Sequence, residues 1–323
     1  GLMAAAVVAW VSIWLSMFVG TRVMGMEKSP ISAVMVAILL GLVINNLVPL
    51  PKLLAPGFTF AVKKVLRLGI ILLGIRLSIL DVMKLGALGV PIVVFCITAA
   101  LLLSTSLNRW LGLPERLGTL IAVGTSICGV SAIVATGPAI DAEEEEVSYA
   151  VAVITVFGIV ATLVYPHLAH LLFAGDPTKA GVFLGTSVHD TSQVAGSALV
   201  FADVFSLPRA LDVATVTKLV RNVFMAAVIP AMTLYYRRRT AADRGTDGKR
   251  THFAKLLPMF IVGFLLMAIL RSVGDAGVGA GGRAFGVLDA GAWRGLYSSV
   301  KEWAVTMLVV ALAGVGLKTN FKV

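Results

Sequence analysis

Charge-free apolar stretches of about 20 residues, the length a helix needs to cross a bilayer, recur along the whole chain; 86–107 and 117–140 are two of them. They are continuous runs without the alternation of outer-membrane strands, so they predict helices and exclude a barrel. Of the 323 residues 58% are hydrophobic and 14% charged, and the mean hydropathy is +0.95. Nothing is left over for a soluble domain, and 1–323 reads as one all-α polytopic membrane domain. The net charge of +10 sits in connections between apolar segments, where membrane topology accounts for it and nucleic acid does not. Cys96 and Cys128 both fall inside predicted spans, so reduced thiols are expected in place of a disulfide framework.

The reading gives ten spans, at 3–20, 31–50, 60–80, 88–107, 117–140, 147–173, 180–204, 212–236, 255–272 and 301–318. The first is taken as a span and not a trimmed signal-like segment. Residues 274–303 are rich in glycine and charge, which predicts an external loop with an interfacial helix. The connection 237–254, "RRRTAADRGTDGKRTHFA", is the strongest basic cluster and is expected in the cytoplasm. Alternation then puts Lys52, Lys63, Lys64, Arg67, Arg109, Arg116, Lys179 and both chain ends on that side, and "DAEEEE" at 141–146 outside, with Asp141 capping the helix that follows.

Two runs resemble each other: "GTSICGVS" at 124–131 and "GTSVHDTS" at 185–192. Each lies near the centre of its span, with one complete helix between them, so both are expected to be crossed in the same direction. A weaker likeness, "LLGIRLSI" at 72–79 and "ALAGVGLKTN" at 311–320, hints at an inverted repeat. Glycine with clustered hydroxyls in hydrocarbon means either close helix packing or a broken helix whose free N–H groups face a ligand. His189 and Asp190 favour the break. Ionisable groups at that depth need a cavity or partner, and neighbours on an intact helix point about 100° apart. A histidine beside a carboxylate also suits proton coupling. Lys218 and Arg221, three residues apart, share a helix face, and Arg76 is a further cation; with hydroxyls and free amides they would bind a small oxyanion. The candidate site is Thr125, Ser126, Cys128, Ser131, Thr186, Ser187, His189, Gln193, Lys218, Arg221 and Arg76 for substrate, with His189 and Asp190 for the coupling ion. No P-loop, metal-ligand spacing or dinucleotide fingerprint is present, so no cofactor or metal is expected.

Together "LGIILLGIRLS", "GTSICGVSAIVATGPAI", "GTSVHDTSQVAG", "VTKLVRN" and "AGVGLKTNF" resemble, in order and over nearly the whole chain, the sulfate exporter family of bacterial inner-membrane proteins. The resemblance implies a transporter of the sodium/proton antiporter and bile-acid symporter superfamily, with an inverted repeat, crossing broken helices and a core domain moving against a panel domain. It also implies an eleventh helix after the last motif. The expected function is secondary transport of a sulfate-, sulfite- or sulfonate-like anion across the inner membrane, coupled to protons or sodium, with the N-terminus cytoplasmic. A cation/proton antiporter of the same fold is the alternative, and an intramembrane thiol hydrolase using Cys128 with His189 and Asp190 is the single enzyme reading. A homodimer is compatible with all of these.

Overall fold

The computed structural model describes residues 1–19, 22, 32–240 and 259–319. Most of the basic connection expected in the cytoplasm (241–254), the end of the first predicted span (20), the start of the second (31) and of the ninth (255–258), and Asn320 and Phe321 of the last motif lie outside the described residues. The helices are α1 (Leu2–Phe18), α2 (Ala33–Leu47), α3 (Ala55–Phe60), α4 (Leu66–Leu73), α5 (Ile79–Trp110), α6 (Glu115–Ser126), α7 (Val130–Thr136), α8 (Glu144–Phe173), α9 (Pro177–Ser187), α10 (Thr191–Val204), α11 (Arg209–Val223), α12 (Met225–Thr240) and α13 (Met259–Gly281). Two short strands, β1 (Arg283–Ala284) and β2 (Leu288–Asp289), pair antiparallel before α14 (Ala290–Lys318). A π-helical turn, Ala61–Val65, joins α3 to α4.

Among the described residues α5, α8, α13 and α14 are each long and apolar enough to cross a membrane, and α11 with α12, bent by 43°, makes a fifth. Local chemistry sets several starts: Ser78 accepts from the Asp81 N–H ahead of α5, and Asp176 accepts from Thr178 and Lys179 ahead of α9. Small residues on α14 let backbones meet. A Cβ on Gly316 would lie 2.4 Å from the Ile38 oxygen, and one on Gly41 2.8 Å from that of Ala313. α1, α2, α4, α13 and α14 pack on one another; α5, α6 and α8–α11 form a second set, joined to the first mainly through α10.

The two ends of the molecule follow from chain contacts. Gly1 lies against Leu54 and Gly57, and the Thr319 carbonyl accepts from Asn45 and Asn46; this is the proximal end. Arg76, at the far end of the α3–α4 rod, pairs with Asp212, and Ser32 donates to Asp203; this is the distal end. From there α5 returns, and Arg109 donates to the Tyr235 hydroxyl at the proximal end.

The segments 117–140 and 180–204 do not cross. A straight helical path from 116 to 143 would cover about 40 Å at 1.5 Å per residue, yet Arg116 Nη1 is 3.5 Å from Glu143 Oε1. α6 and α7 therefore form a re-entrant hairpin that enters from the proximal end and returns to it. Its arms touch: a Cβ on Gly124 would lie 2.8 Å from Ile133 Cδ1. Likewise the Phe205 ring stacks on His170 at 3.9 Å between centroids, so α9 and α10 leave and re-enter the distal end. The two Gly-Thr-Ser runs are consequently traversed in opposite directions, correcting the expectation of one direction.

Three further expectations change. The acidic stretch 141–146 lies at the same end as Arg109 and Arg116, and Lys179 lies at the other. Asp141 takes a positive φ of 52° and does not cap α8; Glu143 does, in a capping box with Glu146. The loop expected over 274–303 is mostly helix, because α13 continues to Gly281 and α14 starts at Ala290. Packing overrides the weak helix propensity of glycine there. Gly274 leaves room for Trp293, whose Nε1 donates to Asp275 at 2.8 Å, and the Arg271 guanidinium lies 3.5 Å from the centroid of Tyr297.

Candidate functional site

The hairpin tips, 127–129 and 188–190, meet inside the protein. A Cβ on Gly129 would lie 3.5 Å from the Asp190 nitrogen, and Gly129 itself holds φ 61° and ψ −120°, a conformation that glycine alone adopts without strain. The sharp reversal after Ile127 thus depends on the glycine of "SICGVS". At the second tip the chain is extended at Val188, and Asp190 caps α10, its carboxylate accepting from Ser192 N at 2.8 Å and from the Ser192 hydroxyl. His189 and Asp190 therefore sit in unwound backbone, as their adjacency in sequence requires.

Two C-terminal helix ends, those of α6 and α9, converge here, and each carries partial negative charge on free carbonyls. α11 supplies two buried cations against them. Lys218, 1% exposed, donates to Ile127 O at 2.8 Å, Val188 O at 3.2 Å and His189 O. Arg221, also 1% exposed, donates to Ser126 O at 2.7 Å, Thr125 O at 2.9 Å and Thr186 O. The contacts of these two cations, expected at the substrate, are among the described residues the carbonyl ends of the two hairpins. The glycines at 181 and 185 allow this, since a Cβ at either would press within 2.8 Å of a backbone oxygen of α11.

Three of the hydroxyls of the repeated motif are spent locally. Ser126 donates to Ala122 O, Thr186 to Val182 O and Ser187 to Phe183 O, each four residues back on its own helix. Arg76, expected among the substrate ligands, is separate from the tips and held 2.5 Å from Asp212 at the distal end. Cys128 Sγ lies 3.1 Å from Met225 Sδ. His189 Nδ1 is buried and has no hydrogen-bond partner among the described residues.

In front of the tips lies a cavity of about 410 Å³ lined by Ser131, Asp190, Thr191, Ser192 and Gln193, by Thr155 of α8, and by Lys63, Arg67, Lys318 and Thr319. Gln193 reaches it through the gap at Gly158, where a Cβ would lie 2.0 Å from its Oε1. Its Nε2 donates to Thr155 O at 3.2 Å, and its Oε1 has no partner among the described residues. Of the expected site residues, the structure brings Ser131, Asp190 and Gln193 to this cavity. Thr125, Ser126, Cys128, Thr186, Ser187, His189, Lys218 and Arg221 lie behind or beside the tips. From sequence alone Lys63 and Arg67 serve only as topology determinants, and Lys318 carries no expectation of its own. Their signal was present for the first two: basic residues within, not beside, an apolar segment.

The family model described as conserved hypothetical protein 698 matches residues 1–323. A "UPF0324 membrane protein" of Streptococcus agalactiae is 30% identical over 297 residues, covering 92% of this chain and 83% of the relative. Another of Fusobacterium nucleatum is 30% identical over 294 residues (91% and 82%), and one of Streptococcus pyogenes 34% over 290 residues (90% and 80%). No solved structure matches. Whole-chain agreement, several apolar spans and relatives that are themselves membrane proteins lead to one conclusion: the chain is a multi-pass membrane protein of the UPF0324 family, conserved hypothetical protein 698.

Proposed function

We infer that the protein is a secondary transporter of a small anion in the bacterial plasma membrane, the sulfate-like class that its motifs resemble. The observation that carries this reading is Asp190: a carboxylate at the meeting point of two opposed hairpin tips, facing a cavity whose wall holds Lys63, Arg67 and Lys318. Opposed discontinuous helices meeting at mid-depth are the arrangement by which many secondary transporters hold a substrate between two faces. The three cations raise the local concentration of an anion, and the hydroxyls of Ser131, Thr191 and Ser192 with Gln193 Oε1 and Nε2 offer polar contacts to it. Protonation of Asp190 would remove the one negative charge among the described cavity-lining side chains, which links anion entry to a proton; His189 is its neighbour in the unwound tip.

The proximal end is the cytoplasmic one in this reading, so the N-terminus is inside. Arg109, Arg116 and Lys52 lie there, and the basic connection after α12 begins there; acidic residues such as 143–146 count little in orientation. The set around α14 would act as the panel against which the hairpin-bearing set moves.

The test is uptake or efflux in proteoliposomes across sulfate, sulfite, alkyl sulfonates and sodium, with an imposed pH gradient. Wild type is expected to move one of the anions with the gradient, and Asp190→Asn to bind it without coupling. If Asp190→Asn transports like wild type, Asp190 has no coupling role. A cation/proton antiporter, favoured by the carboxylate alone, predicts instead sodium or proton flux insensitive to replacing Lys63, Arg67 and Lys318.

A further inference from the structure

Lys218 closes a site whose chemistry is that of a metal cation. Three carbonyl oxygens from two separate chain reversals, those of Ile127, Val188 and His189, converge on its Nζ. All three belong to unwound backbone at the C-terminal ends of α6 and α9, so none is committed to an intrahelical hydrogen bond by regular geometry, and each end adds partial negative charge. In transporters with discontinuous helices, oxygens of this kind coordinate sodium. Here the position is filled from the side by an ammonium on a four-carbon stem, on a residue itself 1% exposed. Arg221 does the same for carbonyls one to three residues earlier, with three of its nitrogens.

We propose that the junction of the two hairpin tips is a monovalent-cation site that the chain occupies with its own Lys218 ammonium. The tethered charge locks the tips together without a dissociable ion. It holds whether or not the protein moves an anion, because it concerns only what neutralises the converging carbonyls. Two consequences follow. The wild-type protein needs no sodium or potassium at this position, so any sodium requirement would arise elsewhere. Removing the ammonium while keeping the stem's volume opens a carbonyl nest that a free cation fills.

The experiment uses the full chain in detergent. Thermal unfolding of wild type and Lys218→Met is measured in matched ionic strengths of sodium, potassium, lithium and choline chloride. Wild type is expected to melt at one temperature in all four. Lys218→Met is expected to melt lower in choline and to regain a substantial part of the loss, saturably, in sodium or potassium. Lys218→Ala, which leaves more room for a partly hydrated ion, is expected to respond likewise. An identical melting temperature for either variant in choline and in the alkali cations overturns the proposal. So does failure of both variants to accumulate in cells, since the cytoplasm supplies potassium at concentrations that should replace the lost charge. A response confined to lithium, or one that fails to saturate, also overturns it, because a general salt effect would then explain the data.

Discussion

Replacing Arg221 with leucine separates two roles for this buried cation. If Arg221 holds the converging ends of α6 and α9, the variant loses three charge-assisted bonds, to Ser126 O, Thr125 O and Thr186 O. At about 1.5–3 kcal/mol for a bond to a charged group, the three sum to about 5–9 kcal/mol. Releasing a buried guanidinium returns several kcal/mol of desolvation, which leaves a net loss of about 3–5 kcal/mol. That is a large part of the total stability of an ordinary domain. Arg221→Lys keeps the charge but gives up the fork, so it should fall between the two. The assay is unfolding in detergent, followed by intrinsic fluorescence, alongside binding of whichever anion stabilises wild type. Destabilisation in the order Arg, Lys, Leu is expected, with anion affinity kept wherever the fold persists. A leucine variant that unfolds with wild type and has lost only its anion affinity would refute the argument, and would restore Arg221 as a ligand.

Asp212→Asn leaves Arg76 without its carboxylate at a site where the two side chains are only 13% and 9% exposed; the loss measured by thermal unfolding should approach the roughly 3–5 kcal/mol typical of a broken buried pair, and the double variant Arg76→Met/Asp212→Leu should recover much of it. In a background with Cys96 and Cys128 replaced, Glu115→Cys and Glu145→Cys, which flank α6 and α7, should react with an impermeant thiol reagent from the same face of the membrane; labelling from opposite faces would contradict the hairpin α6–α7. The Asp176 carboxyl is held below the usual carboxylate range, chiefly by the N–H of Lys179 and also by that of Thr178. Its lowered value means the cap contributes above the ordinary carboxylate range and is lost as pH falls through the lowered one. Asp176→Asn should therefore show a shallower acid limb in a melting-temperature profile, and an unchanged limb would count against the cap.

The helical segments were legible in the apolar runs, and each of the ten predicted segments is occupied by helix among its described residues. The polar pair His189-Asp190 was enough to predict the second break, because side chains that must both be accommodated at that depth cannot sit on an intact rod. What the pattern could not distinguish is a segment that crosses from one that dips and returns: α6 with α7 has the length and hydropathy of a crossing helix, and only Gly129, one letter in the motif, encodes the reversal. The error escaped the charge test because two such segments were misread. Each shifted the parity by one, so the basic connection and both chain ends still came out on one side; only the acidic stretch and Lys179 carried the discrepancy. The contacts of the cations are hidden from the sequence for a related reason. Sequence shows that Lys218 and Arg221 are buried, but their partners are backbone carbonyls, which have no sequence signature, whereas the salt bridge of Arg76 with Asp212 spans 136 positions.

A segment that goes halfway in and comes back out adds no net crossing. Excising or duplicating either one would therefore leave the handedness of everything downstream as it was, whereas gain of a spanning helix would turn the remainder of the chain inside out. The two opposed insertions are thus separable additions to a framework whose orientation is settled without them, and a lineage could acquire or lose one in a single step without reversing its loops.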